Sequence, residues 1–418
     1  MLENGFAIII VSSVIGFFMA WAIGANDVAN AIGISVGSGV LSVRAAIITA
    51  AIFEALGAVL ASGNVTNTIG HELINVRFFA DNPTLLVMGM IASLLASAAW
   101  LLLASYKGWP VSTTHTIIGA VIGFGLISVG VHNIMWNNIF DIMVSWIVTP
   151  FISGILSYTL FRFVQKSIFE HEKPAKQAKK TVPYYVFFAA GVIFFVIFFQ
   201  GLAPLGVVIK KQTAYILTLS GACLCSAVSY IVLRDISLRK AQKSLKESYA
   251  LVEKVFGVLA IFTACAMAFA HGSNDIGNAI APIVAINAIV TSGGVNIVGL
   301  VIPHWIVILG ALGVICGLIM YGYKVIDTVG KNITILTPSR GFVAQLVTAS
   351  IVVIASGIGV PVSTTHILVG AVLGVGLAKG LDAINLRVVR GIFLSWFITF
   401  PAGMFLSIVC FKIITLFL

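Results

Sequence analysis

Long apolar stretches constrain this chain more than any other feature of its sequence. Roughly twelve of them approach the ~20 residues that a helix needs to cross a bilayer. They lie near residues 5–23, 43–62, 85–105, 113–131, 139–161, 184–209, 213–233, 255–270, 298–320, 341–356, 362–378 and 391–417. Only 9% of the residues are charged, against about a quarter in soluble domains. We therefore predict an all-α polytopic membrane protein with about twelve transmembrane helices.

The chain also repeats itself. The segment GANDVANAI at 24–32 matches GSNDIGNAI at 272–280 in six of nine positions, at an offset of 248. The segment at 108–126, which contains PVSTTH, matches 359–377 in thirteen of nineteen positions, at an offset of 251. Similar segments in the same order and at nearly one spacing indicate two homologous halves. We place the first repeat at 1–165 and the second at 252–418, with charged linkers and a two-helix membrane hairpin at 166–251 between them.

The distribution of basic residues predicts how the two repeats are oriented. Twelve of the 24 Lys and Arg flank the central hairpin, and the positive-inside rule places these linkers in the cytoplasm. The segment Ile127–Asp141 contains no Lys or Arg, whereas its counterpart Ala378–Arg390 contains three. The equivalent loops are thus predicted to face opposite sides of the membrane. The repeats would be inverted, with both termini outside the cytoplasm and a substrate site near the midplane, formed by both halves.

Each copy of the shorter motif places a carboxylate inside an apolar stretch, where a charge costs about 2.5–3.5 kcal/mol or more. On a helix the polar residues of a copy share one face, and their oxygens suit a hard cation. We expect broken helices here, with exposed backbone as further ligands. The alternative is a set of interhelical hydrogen bonds that only hold the bundle together. The candidate cation ligands are Asp27, Asn30, Asp275 and Asn278, with Asn26 and Asn274 shared with the substrate.

The PVSTTH segments have the chemistry of an anion site. Gly and Pro indicate a turn, and a serine then stands at the N-cap of an apolar helix. Free N–H groups and the helix dipole at such a start bind anions. We predict re-entrant hairpins, because irregular backbone at membrane depth must be buried in protein or line a cavity. Ordinary helix capping is the alternative interpretation. The candidate anion contacts are Ser112, Thr113, Thr114, Ser363, Thr364 and Thr365.

Two histidines, His115 and His366, close these segments. Either a structural role or a role as ligand or proton carrier fits them, since histidine titrates near neutrality. Glu54 and other single polar residues near the motifs have a structural interpretation that is equally good.

The paired GANDVANA and GSNDIGNA segments, the paired PVSTTH segments and TPSRG at 337–341 resemble the inorganic phosphate transporters of the PiT type. The resemblance covers both halves. It implies a secondary transporter that takes up orthophosphate with Na⁺ or H⁺, and it implies an inverted-repeat fold. By this resemblance the two aspartates and their asparagines serve the coupling ion and substrate, and the hydroxyls of PVSTTH contact phosphate. We further expect a homodimer in the cell membrane.

Charge compensation predicts the mechanism. Phosphate and two aspartates are all negative, and neither motif contains Lys or Arg. Bound cations must cancel the repulsion, which makes cation and phosphate binding depend on each other. We favour Na⁺ over H⁺ because a proton needs one titratable group, whereas Na⁺ needs several oxygens. Proton coupling stays an alternative, as do an anion channel and an intramembrane phosphoester enzyme, although the sequence lacks a P-loop or HExxH motif. No cofactor is expected.

Overall fold

The computed structural model describes residues 5–201, 209–235, 244–295, 302–321, 334–380, 382 and 384–416, and it is helical throughout these ranges apart from turns and two isolated bridges. Short π-helical turns, Gln165–Phe169 and Ile197–Gly201, extend α6 and α7. The thirteen α-helices of the described residues are α1 Gly5–Gly37, α2 Val43–Ala61, α3 Gly63–His71, α4 Pro83–Lys107, α5 Thr113–Ser128, α6 Trp136–Val164, α7 Pro174–Val196, α8 Lys211–Asp235, α9 Leu245–Ser292, α10 His304–Tyr321, α11 Pro338–Gly357, α12 Thr364–Leu377 and α13 Leu386–Leu416.

The predicted all-α class is confirmed. Ten helices of the described residues are long and apolar enough to cross a membrane. Two of the twelve predicted stretches instead form the shorter helices α5 and α12, of 16 and 14 residues. At 1.5 Å per residue these helices are too short for a bilayer core of about 30 Å. The number of crossings and the inverted orientation of the halves stay predictions.

The helices are unbroken where the sequence suggested breaks. Helix α1 runs for 33 residues and α9 for 48, each straight through its Asn-Asp motif. The prediction of broken helices at these motifs is therefore wrong. Backbone hydrogen bonds stay inside the helix, and the polar side chains find their partners on neighbouring helices instead.

The interruptions lie at the PVSTTH segments. One turn joins α4 to α5 and the other joins α11 to α12, and each contains a glycine with positive φ, 67° at Gly108 and 76° at Gly359. The predicted N-caps are confirmed: Ser112 Oγ accepts the His115 N–H at 3.2 Å, and Ser363 Oγ accepts the His366 N–H at 3.3 Å. Each pair of helices forms a hairpin whose tip carries one of the two PVSTTH segments.

Packing joins the two sequence halves. Helix α1 packs on α10 and α9 packs on α2, while α5 packs on α13 and α12 packs on α6. The first glycine of each Asn-Asp motif lies against another helix. Gly24 contacts the Val314 backbone, and Gly272 contacts the Glu54 backbone. A Cβ at either position would overlap those backbone atoms, so glycine permits the close crossing. The helix pair α7 and α8 is peripheral, with α8 packed mainly on α7.

Candidate functional site

The side chains of the two Asn-Asp motifs meet at one buried cluster. All six are at most 1% exposed. Ligand atoms of Asp27, Asp275 and a neighbouring histidine, His271, lie within 4.8 Å of one another. Hard cations take oxygen ligands at about 2.3–2.6 Å, so one ion can bridge atoms at that separation. The structure thus brings together the residues that the sequence marked as cation ligands.

Each motif reaches across to the hydroxyls of the other half. Asn30 Nδ2 donates to Thr365 Oγ1 at 2.8 Å, and Asn278 Nδ2 donates to Thr113 Oγ1 at 3.1 Å. Asn30 Nδ2 also donates to Asp27 Oδ1 at 3.1 Å. The candidate cation ligands and the candidate phosphate contacts are therefore one connected network.

The remaining asparagines hold the turns. Asn26 Nδ2 donates to Ser105 Oγ at 3.2 Å and to the Trp109 carbonyl at 3.1 Å. Asn274 Nδ2 donates to the Val362 carbonyl at 2.8 Å. These bonds fit the interhelical role considered for the motifs, and they fix the two PVSTTH turns against α1 and α9.

The two turns are also bonded to each other. Thr114 Oγ1 donates to the Val362 carbonyl at 3.1 Å, and Thr365 Oγ1 donates to the Val111 carbonyl at 3.2 Å. The starts of α5 and α12 therefore lie side by side. At each start the serine satisfies one free N–H group, while the N–H groups of the first two helical residues have no partner within the helix. Two helix dipoles thus point their positive ends into one buried region.

The charge of this region is negative. Asp27, Asp275 and Glu54 are all at most 2% exposed, and the buried polar residues of the described ranges include no Lys or Arg. Three buried carboxylates with one neighbouring histidine, His271, and no described Lys or Arg buried with them are costly, because desolvation of each charge is worth several kcal/mol. Bound cations are the expected compensation.

His115 and His366 lie in a cluster of four aromatic rings, in which the two imidazoles meet edge to face. Their ring centroids are 4.3 Å apart. His115 stacks on Trp146 at 3.7 Å, and His366 stacks on Trp396 at 3.6 Å. The Nε2 atoms of both histidines are buried without a hydrogen-bond partner among the described residues. The ring cluster joins α5 and α12 to α6 and α13, which agrees with a structural role for the pair.

Glu54, which the sequence marked only as a polar residue near the motifs, has a partner that was not predicted, His271. His271 Nδ1 lies 3.0 Å from Glu54 Oε1, and His271 Nε2 lies 2.9 Å from Asp275 Oδ2. His271 precedes Asp275 by one helical turn, so its place on the motif's face was readable as an i, i+4 relation. Its contact with Glu54 on α2 was not, because it depends on the crossing of two distant helices. Trp146 and Trp396, which match in the repeat, were likewise missed as ring partners of the histidines.

A polar cavity of about 470 Å³ borders the second turn. Its lining includes Asn64 and Thr68 of α3, Asp141 of α6 and the backbone at Gly357–Pro361. Asn64 Nδ2 donates to the Gly357 carbonyl at 2.9 Å, and Thr68 Oγ1 donates to the Gly359 carbonyl at 2.8 Å. The cavity thus borders the backbone of the second PVSTTH turn.

Known proteins are similar to this chain in sequence and in fold. The phosphate transporter family matches residues 23–407. A putative phosphate permease of Haemophilus influenzae is 48% identical over 99% of this chain and 98% of its own. The chloroplastic inorganic phosphate transporter 2-1 of Arabidopsis thaliana is 38% identical over 94% of this chain and 70% of its own. A solved structure described as the sodium-dependent phosphate transporter has a TM-score of 0.90 and 34% identity, covering 99% of this chain and all of its own.

The match to the family spans most of the chain, and the relatives are transporters or permeases rather than enzymes. The duplicated buried motifs found in the structure lie within the matched residues. This chain therefore belongs to the phosphate transporter family.

Proposed function

We propose that this protein takes up inorganic phosphate across the cell membrane by symport with Na⁺. The observation that carries the proposal is the single buried network in which two helix starts, rich in hydroxyls, adjoin two carboxylates, with His271 beside them and no Lys or Arg among the described buried residues. Such a region binds an anion only when cations accompany it. The sodium-dependent phosphate transporter with a similar structure supports Na⁺ as the cation.

Phosphate binds between the starts of α5 and α12. The N–H groups at these helix starts and the hydroxyls of Ser112, Ser363, Thr113 and Thr364 donate to its oxygens. Thr114 and Thr365 hold the two turns together through their bonds to opposite carbonyls. Their side chains border the phosphate site, and a hydroxyl that donates to a carbonyl must turn from it before it can donate to phosphate. Asn26 and Asn274 complete the site from α1 and α9.

Na⁺ binds at the two aspartates. Each ion takes a carboxylate oxygen and an amide oxygen from the same motif, Asp27 with Asn30 or Asp275 with Asn278, and a phosphate oxygen completes the shell. At an effective dielectric near 20, two unit charges 4 Å apart attract by about 4 kcal/mol. A bound Na⁺ therefore strongly favours phosphate, and phosphate favours Na⁺ to the same degree.

The aspartates also select among oxyanions. A carboxylate accepts a hydrogen bond from a protonated phosphate oxygen, whereas sulfate carries no proton at neutral pH. His115 and His366 act by holding the turns, and proton coupling through them is the alternative that the experiments below must separate.

The wider organisation follows the sequence prediction. Residues 1–165 and 252–418 form inverted repeats, 166–251 form the central hairpin with cytoplasmic linkers, and both termini face away from the cytoplasm. The protein works as a homodimer. Crossed packing of α5 on α13 and of α12 on α6 supports a site shared between the repeats.

Reconstitution tests the function. Purified protein in liposomes should accumulate radiolabelled phosphate saturably when a cation gradient is imposed, and excess sulfate should compete weakly. Unitary currents in a planar bilayer would instead indicate a channel, and release of phosphate from esters would indicate an enzyme. Either of these results without saturable uptake contradicts the proposal.

A further inference from the structure

The two motif aspartates are equivalent in sequence but not in surroundings. Asp27 Oδ1 accepts from Asn30 Nδ2 at 3.1 Å, while its Oδ2 is buried without a hydrogen-bond partner in the described part of the chain. Asp275 Oδ1 accepts from Asn274 Nδ2 at 2.7 Å. Asp275 Oδ2 accepts from Thr364 Oγ1 at 2.6 Å and lies 2.9 Å from His271 Nε2. Asp275 thus meets an amide, a hydroxyl and an imidazole, and among the described residues the imidazole contact has no counterpart at the same distance from Asp27.

The difference originates in a residue that only the second repeat carries. At the motif's offset of 248, the counterpart of His271 is Ile23, which has no polar atom in its side chain. His271 is held from behind by Glu54, whose Oε1 lies 3.0 Å from Nδ1. Gly272 allows this arrangement, since its backbone contact with Glu54 brings α2 against α9. The pseudosymmetry of the two cation sites is therefore broken at one side chain.

A cation needs the same Asp275 oxygen that His271 contacts. An oxygen of an ionised carboxylate has about two lone-pair sites, and Thr364 and His271 take both at Asp275 Oδ2, so an ion that binds this oxygen must displace His271, Thr364 or both. Glu54 provides the place for His271, because both of its carboxylate oxygens are buried without a hydrogen bond of good geometry within the described ranges, although Oε1 lies 3.0 Å from His271 Nδ1. At Asp27 no such displacement is needed.

We propose that the two coupling ions bind one after the other and with unequal affinity, an inference that rests on the proposed Na⁺ symport. The first ion binds at Asp27. The second binds at Asp275 after it displaces His271 toward Glu54 and releases the Thr364 hydroxyl. Thr364 then donates to phosphate, so the second ion and phosphate bind together. Glu54 and His271 are positioning residues that set the order.

Titration of purified protein with Na⁺ in detergent, by calorimetry without phosphate, tests the order. The wild type should bind one ion per chain in a first step and a second ion with about ten- to hundredfold weaker affinity, since hydrogen bonds to a charged group must be broken. Phosphate should strengthen the second step only. Asp275→Asn should keep the first step and lose the second, whereas Asp27→Asn should lose the first.

A double variant, His271→Ile with Glu54→Gln, places the first repeat's residue in the second site and removes the charge left behind. Its two steps should converge to within a few-fold if the variant folds, as judged by thermal unfolding. If it does not fold, the two aspartate variants decide alone. Equal steps in the wild type, or equal losses of the same step in Asp27→Asn and Asp275→Asn, would overturn the proposed order while leaving Na⁺ symport intact. Absence of Na⁺ binding, together with phosphate uptake that follows a proton gradient, would instead contradict the proposed function and with it this inference.

Discussion

Replacement of Thr365 by valine tests the network that joins the two repeats. Thr365 is only 1% exposed. Its hydroxyl accepts a hydrogen bond from Asn30 Nδ2 at 2.8 Å and donates one to the Val111 carbonyl at 3.2 Å. Valine has the same shape without the hydroxyl. The change leaves a buried N–H and a buried carbonyl each short of a partner, at a cost of about 1–3 kcal/mol for each group.

We expect at least one of these unsatisfied groups to weaken phosphate binding, because Asn30 belongs to the proposed cation site and Val111 to the proposed phosphate turn. A coupling loss of about 1–3 kcal/mol corresponds to a decrease in phosphate affinity of about 5–150-fold. The assay is equilibrium binding of radiolabelled phosphate at fixed Na⁺, with thermal unfolding measured in parallel.

Thr116→Val is the matched control for this change. Thr116 is equally buried near the start of α5, but its hydroxyl donates to the Ser112 carbonyl of its own helix at 2.8 Å. Removal of this hydroxyl should change phosphate affinity by less than about twofold, because the Ser112 carbonyl still accepts the Thr116 backbone N–H and no buried group is left without a partner. Thr365→Val with wild-type affinity, or Thr116→Val with an equal loss, would refute the reasoning.

Three further predictions follow from the site, the topology and the packing. Asp27→Asn and Asp275→Asn should each abolish coupled phosphate uptake in a folded protein, because the amide keeps the size but loses the cation attraction; wild-type kinetics in either variant sinks the assignment. A cysteine at His132 should react with an impermeant reagent from outside and one at Lys379 only from inside, and labelling of both from one face would make the repeats parallel. Gly272→Val should prevent a stable fold, because its side chain would overlap the Glu54 backbone, whereas Gly391→Val, at an exposed position of α13 with no neighbouring atom of the described residues within 4 Å of an added Cβ, should express normally; equal yields would contradict the close crossing of α2 and α9.

Duplication made the site readable from sequence. Two copies of the Asn-Asp motif and of PVSTTH predicted that both halves contribute, and the side chains of both copies do meet. The serine N-caps were also predictable, since a serine after a Gly-Pro turn and before an apolar run has one favourable place. These inferences depend on local chemistry and on repetition alone.

Other features depend on contacts between distant segments. Glycine and asparagine in α1 and α9 looked like breaks, yet cross-helix partners such as Thr365 let the helix continue. The pair of Glu54 and His271 exists because α2 crosses α9, which no local pattern indicates. Helix α3 was missed since GNVTNTIGH is too polar and too short to resemble a membrane span.

Phosphate uptake under separately imposed ion gradients tests the central claim most directly. Liposomes containing the purified protein are held at constant pH with no proton gradient, and an inward Na⁺ gradient is applied with and without a protonophore. Because Na⁺ at the buried aspartates offsets the charge of phosphate, accumulation should follow the Na⁺ gradient and be unaffected by the protonophore. Accumulation that ignores Na⁺ and collapses with the protonophore would contradict the account.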